Sequence, residues 1–265
     1  MVTYRDIILG LRSLNIDRAR PIIVHTSLSA FGEVHGGSYT IIGALMDEFE
    51  KIVMPAFTYR TMITPITGPE NNAINYGNDE FLNRSAKIYY PDMPVDRLIG
   101  NTAENFRQLA QTYRSSHPIL SFCGSNMDAA IDSQTIENPF SPLEKLYEAD
   151  GTVILMGVNH IANTSIHLAE IKTKRKTFVR WALTRQGVIE CPGFPSCSGG
   201  FEKAAEPLDP ITSYITIGKA KIRVLPIKQM VDKLVEIITQ NPYAFLCGED
   251  SCQRYQAVRV SLSQA

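Results

Sequence analysis

The chain has 265 residues, 44 % of them hydrophobic and 20 % charged, with a formal net charge of −1. That length and composition predict a globular core of good size; no basic stripe suggests nucleic acid, no apolar run approaches membrane-spanning length, and residues 1–6 lack a basic segment followed by an apolar one, so a signal peptide is not expected. Five cysteines, an odd number in no regular framework, suit a reduced cytoplasmic setting, and Cys247 with Cys252 is too isolated a pair to argue for zinc.

Residues 4–14 have the apolar spacing of a short amphipathic helix, through Ile7, Ile8, Leu11 and Leu14. Residues 21–25 read as a buried strand, followed by a Ser/Gly-rich loop from Thr26 to Ser38. Ser38 is placed to cap a helix running to Glu50, and residues 51–57 form a second apolar strand. Strand, loop, helix and strand make a βαβ unit, which implies parallel pairing. Residues 58–87 carry Pro65, Gly68, Pro69 and Gly77 with no steady period, and a loop of that length suits one wall of a functional site. A helix is expected over 101–112, a strand over 119–124, a short helix near 127–131, and a helix over 141–149 with Ser141 as N-cap and Pro142 at its first position. Residues 152–160 read as a buried strand and lead to a further helix. Residues 176–191 alternate like antiparallel strands; 218–226 is another strand, and 227–239 is an amphipathic helix.

Three segments carry candidate chemistry. In Asn163–Glu170, Asn163 or Thr164 can cap a helix, and His167 and Glu170 then lie three apart on one face. An imidazole held by a carboxylate is the usual arrangement for a neutral-pH base, although the same spacing also describes an ordinary helix histidine beside a solvated acid. The loop from Ser27 to Ser38 enters a helix at Gly36-Gly37. Helix N-termini attract anions and glycines allow close approach, but the loop is neither a Walker A sequence nor a dinucleotide fingerprint. Arg114–Pro118 sets a guanidinium, two hydroxyls and an imidazole before a strand, which suits either an amide-rich or phosphorylated ligand or a plain polar turn.

In order along the chain, His25-Thr26-Ser27-Leu28-Ser29-Ala30-Phe31-Gly32, residues 54–58, 114–122, 141–147 and 163–170, Ser198–Glu202 and the ending Leu246-Cys247-Gly248 with Cys252 resemble the aminoglycoside 3-N-acetyltransferase superfamily. The resemblance covers nearly the whole chain. It implies one antibiotic N-acetyltransferase domain over 1–265: a three-layer α/β core to about residue 174 with a central, mostly parallel sheet, and a smaller mixed lobe from 175, distinct from the GCN5-type fold. It implies acetyl-CoA as co-substrate without a metal and acetylation of a small-molecule amine on an amino sugar, foremost the 3-amino group of an aminoglycoside; the cysteines show no Cys–His signature and no acyl-enzyme is required, so direct transfer is the simpler reading. His167 matches the family's catalytic histidine and Glu170 its acidic partner. His25, Ser27, Leu28, Ser29, Phe31, Gly36 and Gly37 match the first coenzyme A segment, and Arg114, Ser116, His117 and Ser121 the second.

Tyr59, Asp92 and Glu170 are expected to meet the acceptor. A polycationic aminoglycoside needs a carboxylate-lined cleft, for which Glu70, Asp79, Glu80, Asp92, Asp96, Glu170, Glu190 and Glu202 are available. A nucleotide-linked amino sugar would instead want basic lining around Arg60, Arg84 and Arg97. A metal-dependent hydrolase built on His160, His167 and Glu170 is disfavoured because no His-Glu-x-x-His or Gly-x-Ser-x-Gly occurs. A coenzyme-binding module without catalysis stays open, as does the oligomeric state, a homodimer included.

Overall fold

The computed structural model describes residues 1–264. Its strands are β1 (Ile22–Thr26), β2 (Ile52–Pro55), β3 (Met62–Ile63), β4 (Thr112–Arg114), β5 (Phe122–Ser125), β6 (Thr152–Met156), β7 (Phe178–Thr184), β8 (Gly187–Phe194), β9 (Ser213–Ile217) and β10 (Ala220–Pro226). Its α-helices are α1 (Tyr4–Ser13), α2 (Gly37–Glu48), α3 (Glu80–Ser85), α4 (Asn101–Arg107), α5 (Asp128–Asp132), α6 (Ser141–Glu148), α7 (Ile166–Lys172), α8 (Ala205–Leu208), α9 (Ile227–Gln240) and α10 (Gln253–Ser263).

Seven strands form one sheet in the order β4-β5-β2-β1-β6-β10-β9. The centre, β2-β1-β6, is parallel, with Ile22 opposite both Ile52 and Thr152, and the strands outside it pair antiparallel. Each central strand is buried on both faces, so it reads as an unbroken apolar run. The pleat nevertheless divides it: Val153 and Leu155 enter the core beneath α5, α6, α7 and α9, while Ile154 and Met156 enter the core beneath α1, α2 and α4. These are the three layers.

A three-stranded antiparallel sheet, β3-β7-β8, lies apart. The boundary expected near residue 174 does not follow the sheets. The small sheet takes β3 from the first half of the chain, and β9, β10 and α9 return to the main core. The 58–87 stretch holds β3 and α3, and β4, β9 and α10 are elements that the sequence pattern did not announce.

The caps of α2 and α6 differ from expectation. α2 begins at Gly37 with left-handed Gly36 (φ 77°) as its N-cap, and Ser38 lies inside the helix, where its Oγ accepts from Asn105 Nδ2 at 2.5 Å. α6 is preceded by Phe140 at the cap position, with Ser141 as its first residue.

Gly157 ends β6 at φ 70°, and a Cβ there would collide with Ala30 Cβ in the 3-10 turn Leu28–Phe31. That close approach seats the Ser27 loop against β6, where Ser27 N–H donates to the Met156 carbonyl at 3.0 Å. Gly157→Ala is therefore expected to cost about 1–3 kcal/mol in backbone strain alone, and the displaced turn adds to it; equilibrium urea unfolding measures the loss.

Candidate active site

β1, β2 and β6 all end at one edge of the sheet, and a cavity of about 860 Å³ opens there. A crevice outside the carboxyl ends of parallel strands is where α/β folds place ligands. Its walls include His25 and Thr26 at the end of β1 with Ser27 after it, Pro55 at the end of β2 with Phe57 and Tyr59 after it, Gly157 to Asn159 after β6, and His167 from α7. Lys221 and Arg223 enter from β10 and Lys219 from the turn just before it, and Pro195 and Ser198 from the segment after β8. A second lobe of about 720 Å³ shares Thr26, Ser27, Leu98, Ile99 and Val158 with the first and is lined further by Leu28, Ser29, Gly37 and Arg97.

His167 is the second residue of α7. The expected cap is displaced by one or two residues: Ser165 holds the N-cap position without a side-chain bond, and Asn163 Oδ1 accepts from Ser165 N–H at 3.2 Å. The imidazole is only 7 % exposed and lies between the rings of Phe140 (centroids 5.8 Å apart) and Phe201 (4.8 Å). Its Nδ1 is 2.7 Å from Glu170 Oε2.

Glu170 is 4 % exposed, and its other oxygen accepts from Arg175 Nη1 at 2.7 Å and Ser196 Oγ at 2.6 Å. Burial opposes ionisation of this carboxyl, but the bonds from His167, the charge of Arg175 and the Ser196 hydroxyl outweigh it and hold its pKa below the usual glutamate value. An ionised Glu170 can only accept, so Nδ1–H donates to it. That assigns the tautomer and leaves Nε2 as the acceptor on a ring that lines the cavity.

Arg175 also donates to the carbonyls of Pro242 and Ala244, so the site is tied to the chain's last fifth. Because this ion pair is buried, Arg175→Met is expected to strand the Glu170 charge and destabilise the fold by about 3–5 kcal/mol, read as a lower urea midpoint.

Of the expected coenzyme residues, His25, Ser27, Leu28, Ser29 and Gly37 line the two lobes. Gly36 lies behind Gly37 as the helix cap. Phe31 points into the core under α2 and is absent from both lobes. The Arg114 segment departs from expectation as well. The Arg114 guanidinium donates to Ser121 Oγ (3.0 Å) and to the carbonyls of Ala56, Pro91 and Met93, which spends it on pinning the 91–93 loop to β2 and β5. Ser121 Oγ is fully buried and donates to the Ala56 carbonyl at 2.7 Å. His117 Nδ1 accepts from the N–H groups of Ile119 (3.1 Å) and Leu120 (3.0 Å), and Ser116 faces solvent away from the cavity.

For the acceptor residues, Tyr59 lines the cavity, and burial raises its hydroxyl to about 12. Asp92 is exposed and lies off the cavity wall, and both oxygens of Glu170 are already engaged, so neither offers a carboxylate to a ligand. Among the described residues the cavity wall carries Lys219, Lys221 and Arg223 and no carboxylate; Glu202 sits behind Arg223 as a bidentate partner at 2.9 and 2.7 Å. His160 is buried, its N–H bonded to Glu202, and among the described residues it does not converge with His167 and Glu170 as a ligand set. Sequence reasoning missed Arg175 and Ser196. The one available signal was the Ser198–Glu202 block that follows Ser196.

A family profile described as aminoglycoside 3-N-acetyltransferase matches residues 23–239. The chain belongs to that family. Over 186 residues it is 30 % identical to the SPbeta prophage-derived aminoglycoside N(3')-acetyltransferase-like protein YokD of Bacillus subtilis (strain 168), an alignment covering 64 % of this chain and 65 % of that relative's length. Two solved structures share the family fold. The apoenzyme of aminoglycoside acetyltransferase AAC(3)-IVa matches with a TM-score of 0.80 at 24 % identity over 98 % of each chain. AAC-IIIb in a binary complex with CoASH matches with a TM-score of 0.75 at 20 % identity, over 90 % of this chain and 96 % of that one. Both the three-layer core and the small antiparallel sheet described above thus sit within a family architecture. Among the described residues no helix is long and apolar enough to cross a membrane.

Proposed function

We propose that this chain is an acetyl-CoA-dependent N-acetyltransferase acting on an amino group of an amino sugar, with His167 as general base and direct transfer between the two bound substrates. The observation that carries the reading is the imidazole whose Nδ1 is tied to an ionised, buried carboxylate while its ring borders the cavity. An amine in neutral water is mostly protonated and cannot attack a thioester until a base takes its proton. Nε2 is the nitrogen free to do so. The C–N bond then forms as the C–S bond breaks; of the two protons the ammonium sheds, the one held on Nε2 passes to the departing thiolate and the other leaves to solvent. Glu170 holds the ring in the required tautomer and stabilises the imidazolium.

The thioester arm fits the second lobe, beside Ser27, Leu28, Ser29 and Gly37. The phosphates of coenzyme A find Arg97 there and Lys219 and Lys221 in the first lobe, neither lysine having a carboxylate partner among the described residues. Ser27 N–H, spent on Met156, is not available to an oxyanion.

For the acceptor, family membership favours the 3-amino group of an aminoglycoside. The absence of carboxylates among the lining residues favours a second reading, an amino sugar that carries its own phosphate, such as a nucleotide-linked one. A thiol-release assay with acetyl-CoA across aminoglycosides and nucleotide-linked amino sugars separates them. Turnover confined to the first group removes the second reading, and the converse removes the first. No thiol release with any amine leaves a binding module and removes the enzyme.

A further inference from the structure

Three cysteines that the transfer reaction does not use come together. Cys197 precedes the 3-10 turn Ser198–Ala204, Cys247 lies in the loop after α9, and Cys252 is the residue before α10. All three are free and partly buried, and their sulfur atoms all lie within 4.8 Å of one another. In sequence, Cys247 and Cys252 form an isolated pair; folding brings Cys197 to them across about fifty residues.

The backbone builds this convergence. Gly199 N–H donates to Cys197 Sγ at 3.3 Å, and a Cβ on Gly199 would press on Cys247 Cβ at 3.1 Å. A Cβ on Gly200 would strike the backbone of Phe245 and Leu246. Only a Gly-Gly step lets the two segments touch so closely. Lys203 Nζ then fastens them through the Leu246 carbonyl at 2.9 Å.

We propose that Cys197, Cys247 and Cys252 bind a thiophilic divalent cation, Zn²⁺ being the representative, through three thiolates with water as the fourth ligand. Three Zn–S bonds of about 2.3 Å hold the sulfurs about 3.8 Å apart in a tetrahedron, which the observed cluster reaches with small side-chain shifts. Binding releases three thiol protons to solvent, and Zn²⁺ with three thiolates carries a net charge of −1. Arg254, the second residue of α10, supplies the balancing charge: its guanidinium donates to the Ser196 carbonyl at 3.1 Å, and it has no carboxylate partner among the described residues. The cation would clamp the last helix and the 245–252 loop onto the segment holding Ser196, one of the three groups that bind Glu170.

The test uses the full chain, purified reduced and without chelator. Elemental analysis is expected to find one zinc per chain, and chelator-stripped protein to regain it from zinc alone with a rise in Tm. Cobalt in place of zinc is expected to give a sulfur-to-metal charge-transfer band. Zinc affinity should fall at least 100-fold in C197S and C252S and be unchanged in C191A, whose thiol is buried elsewhere in the core. X-ray absorption of the zinc-loaded native protein should show three sulfurs, a readout that holds even if a variant fails to fold. Stripped protein that takes up no zinc, a ligand shell of nitrogen and oxygen alone, undiminished binding in both serine variants, or a native disulfide between two of the three would each overturn the proposal.

Discussion

Replacing His167 with alanine is expected to slow acetyl transfer by about 10²–10⁴-fold in kcat, the range a positioned general base supplies. In activation free energy this is about 3–5 kcal/mol. Binding of acetyl-CoA, followed by calorimetry, should change little, because the second lobe is walled by the Ser27 loop and Gly37 and not by α7. Glu170→Gln keeps the ring in place but removes the charge that fixes its tautomer, and it should lower kcat more than it alters KM. Near-normal turnover by the alanine variant would leave Nε2 without a role and would end the proposed mechanism. Removing the imidazole also opens a gap between Phe140 and Phe201, so the variant's fold is checked in parallel by its urea midpoint.

The second large effect is on stability in mild acid. Burial pushes His25 down from 6.5 to about 3 and His117 to about 4. Burial, reinforced by the Arg223 charge and opposed by Glu202, takes His160 to about 4. The geometry of His117 agrees, because protonating Nδ1 would forfeit the bonds it accepts from Ile119 and Leu120. These rings stay neutral in the native state, while in the unfolded chain they take up protons below about 6.5. The unfolded state therefore binds up to three more protons, and stability is intact above pH 6.5 and falls as the pH drops toward the folded values. Between pH 7 and pH 5 the loss sums to about 5 kcal/mol, as large as the whole stability of many domains. Glu170, whose pKa is also depressed, adds its own loss lower still, as the pH falls through its folded value. Urea midpoints at pH 7, 6 and 5 should drop steeply, and the C2 protons of the three rings should not titrate in the folded protein above pH 5. A midpoint constant across that range would show that these histidines are solvated.

How far the site was legible depended on sequence distance. β6, the turn after it and α7 were readable because a buried strand and a helix have different apolar periods, and a 3-residue spacing puts His167 and Glu170 on one helical face. The Ser27 loop was readable for a similar reason, as a Ser/Gly break between a strand and a helix. The Arg114 segment misled because a guanidinium in a polar loop looks the same whether its donors face a ligand or backbone carbonyls. Only the position of Ala56 and Met93, distant in the chain, decides that. β9 escaped because, at the edge of the sheet, it buries few side chains and leaves a weak apolar pattern.

The order of hydrophobic and polar residues by itself determined the parallel βαβ unit of β1, α2 and β2 and the local pairing of an imidazole with a carboxylate, since each rests on near neighbours in sequence or on the period of a single element; the three-layer arrangement was implied by the family resemblance. Tertiary structure alone decided that Arg175 and Ser196 keep Glu170 charged, that the cavity wall takes basic side chains from β10 and the turn before it and no carboxylate among the described residues, and that three thiols share one corner. Those facts depend on chain segments meeting across tens of residues, and the burial that gives them their energy exists only once the chain has closed around them.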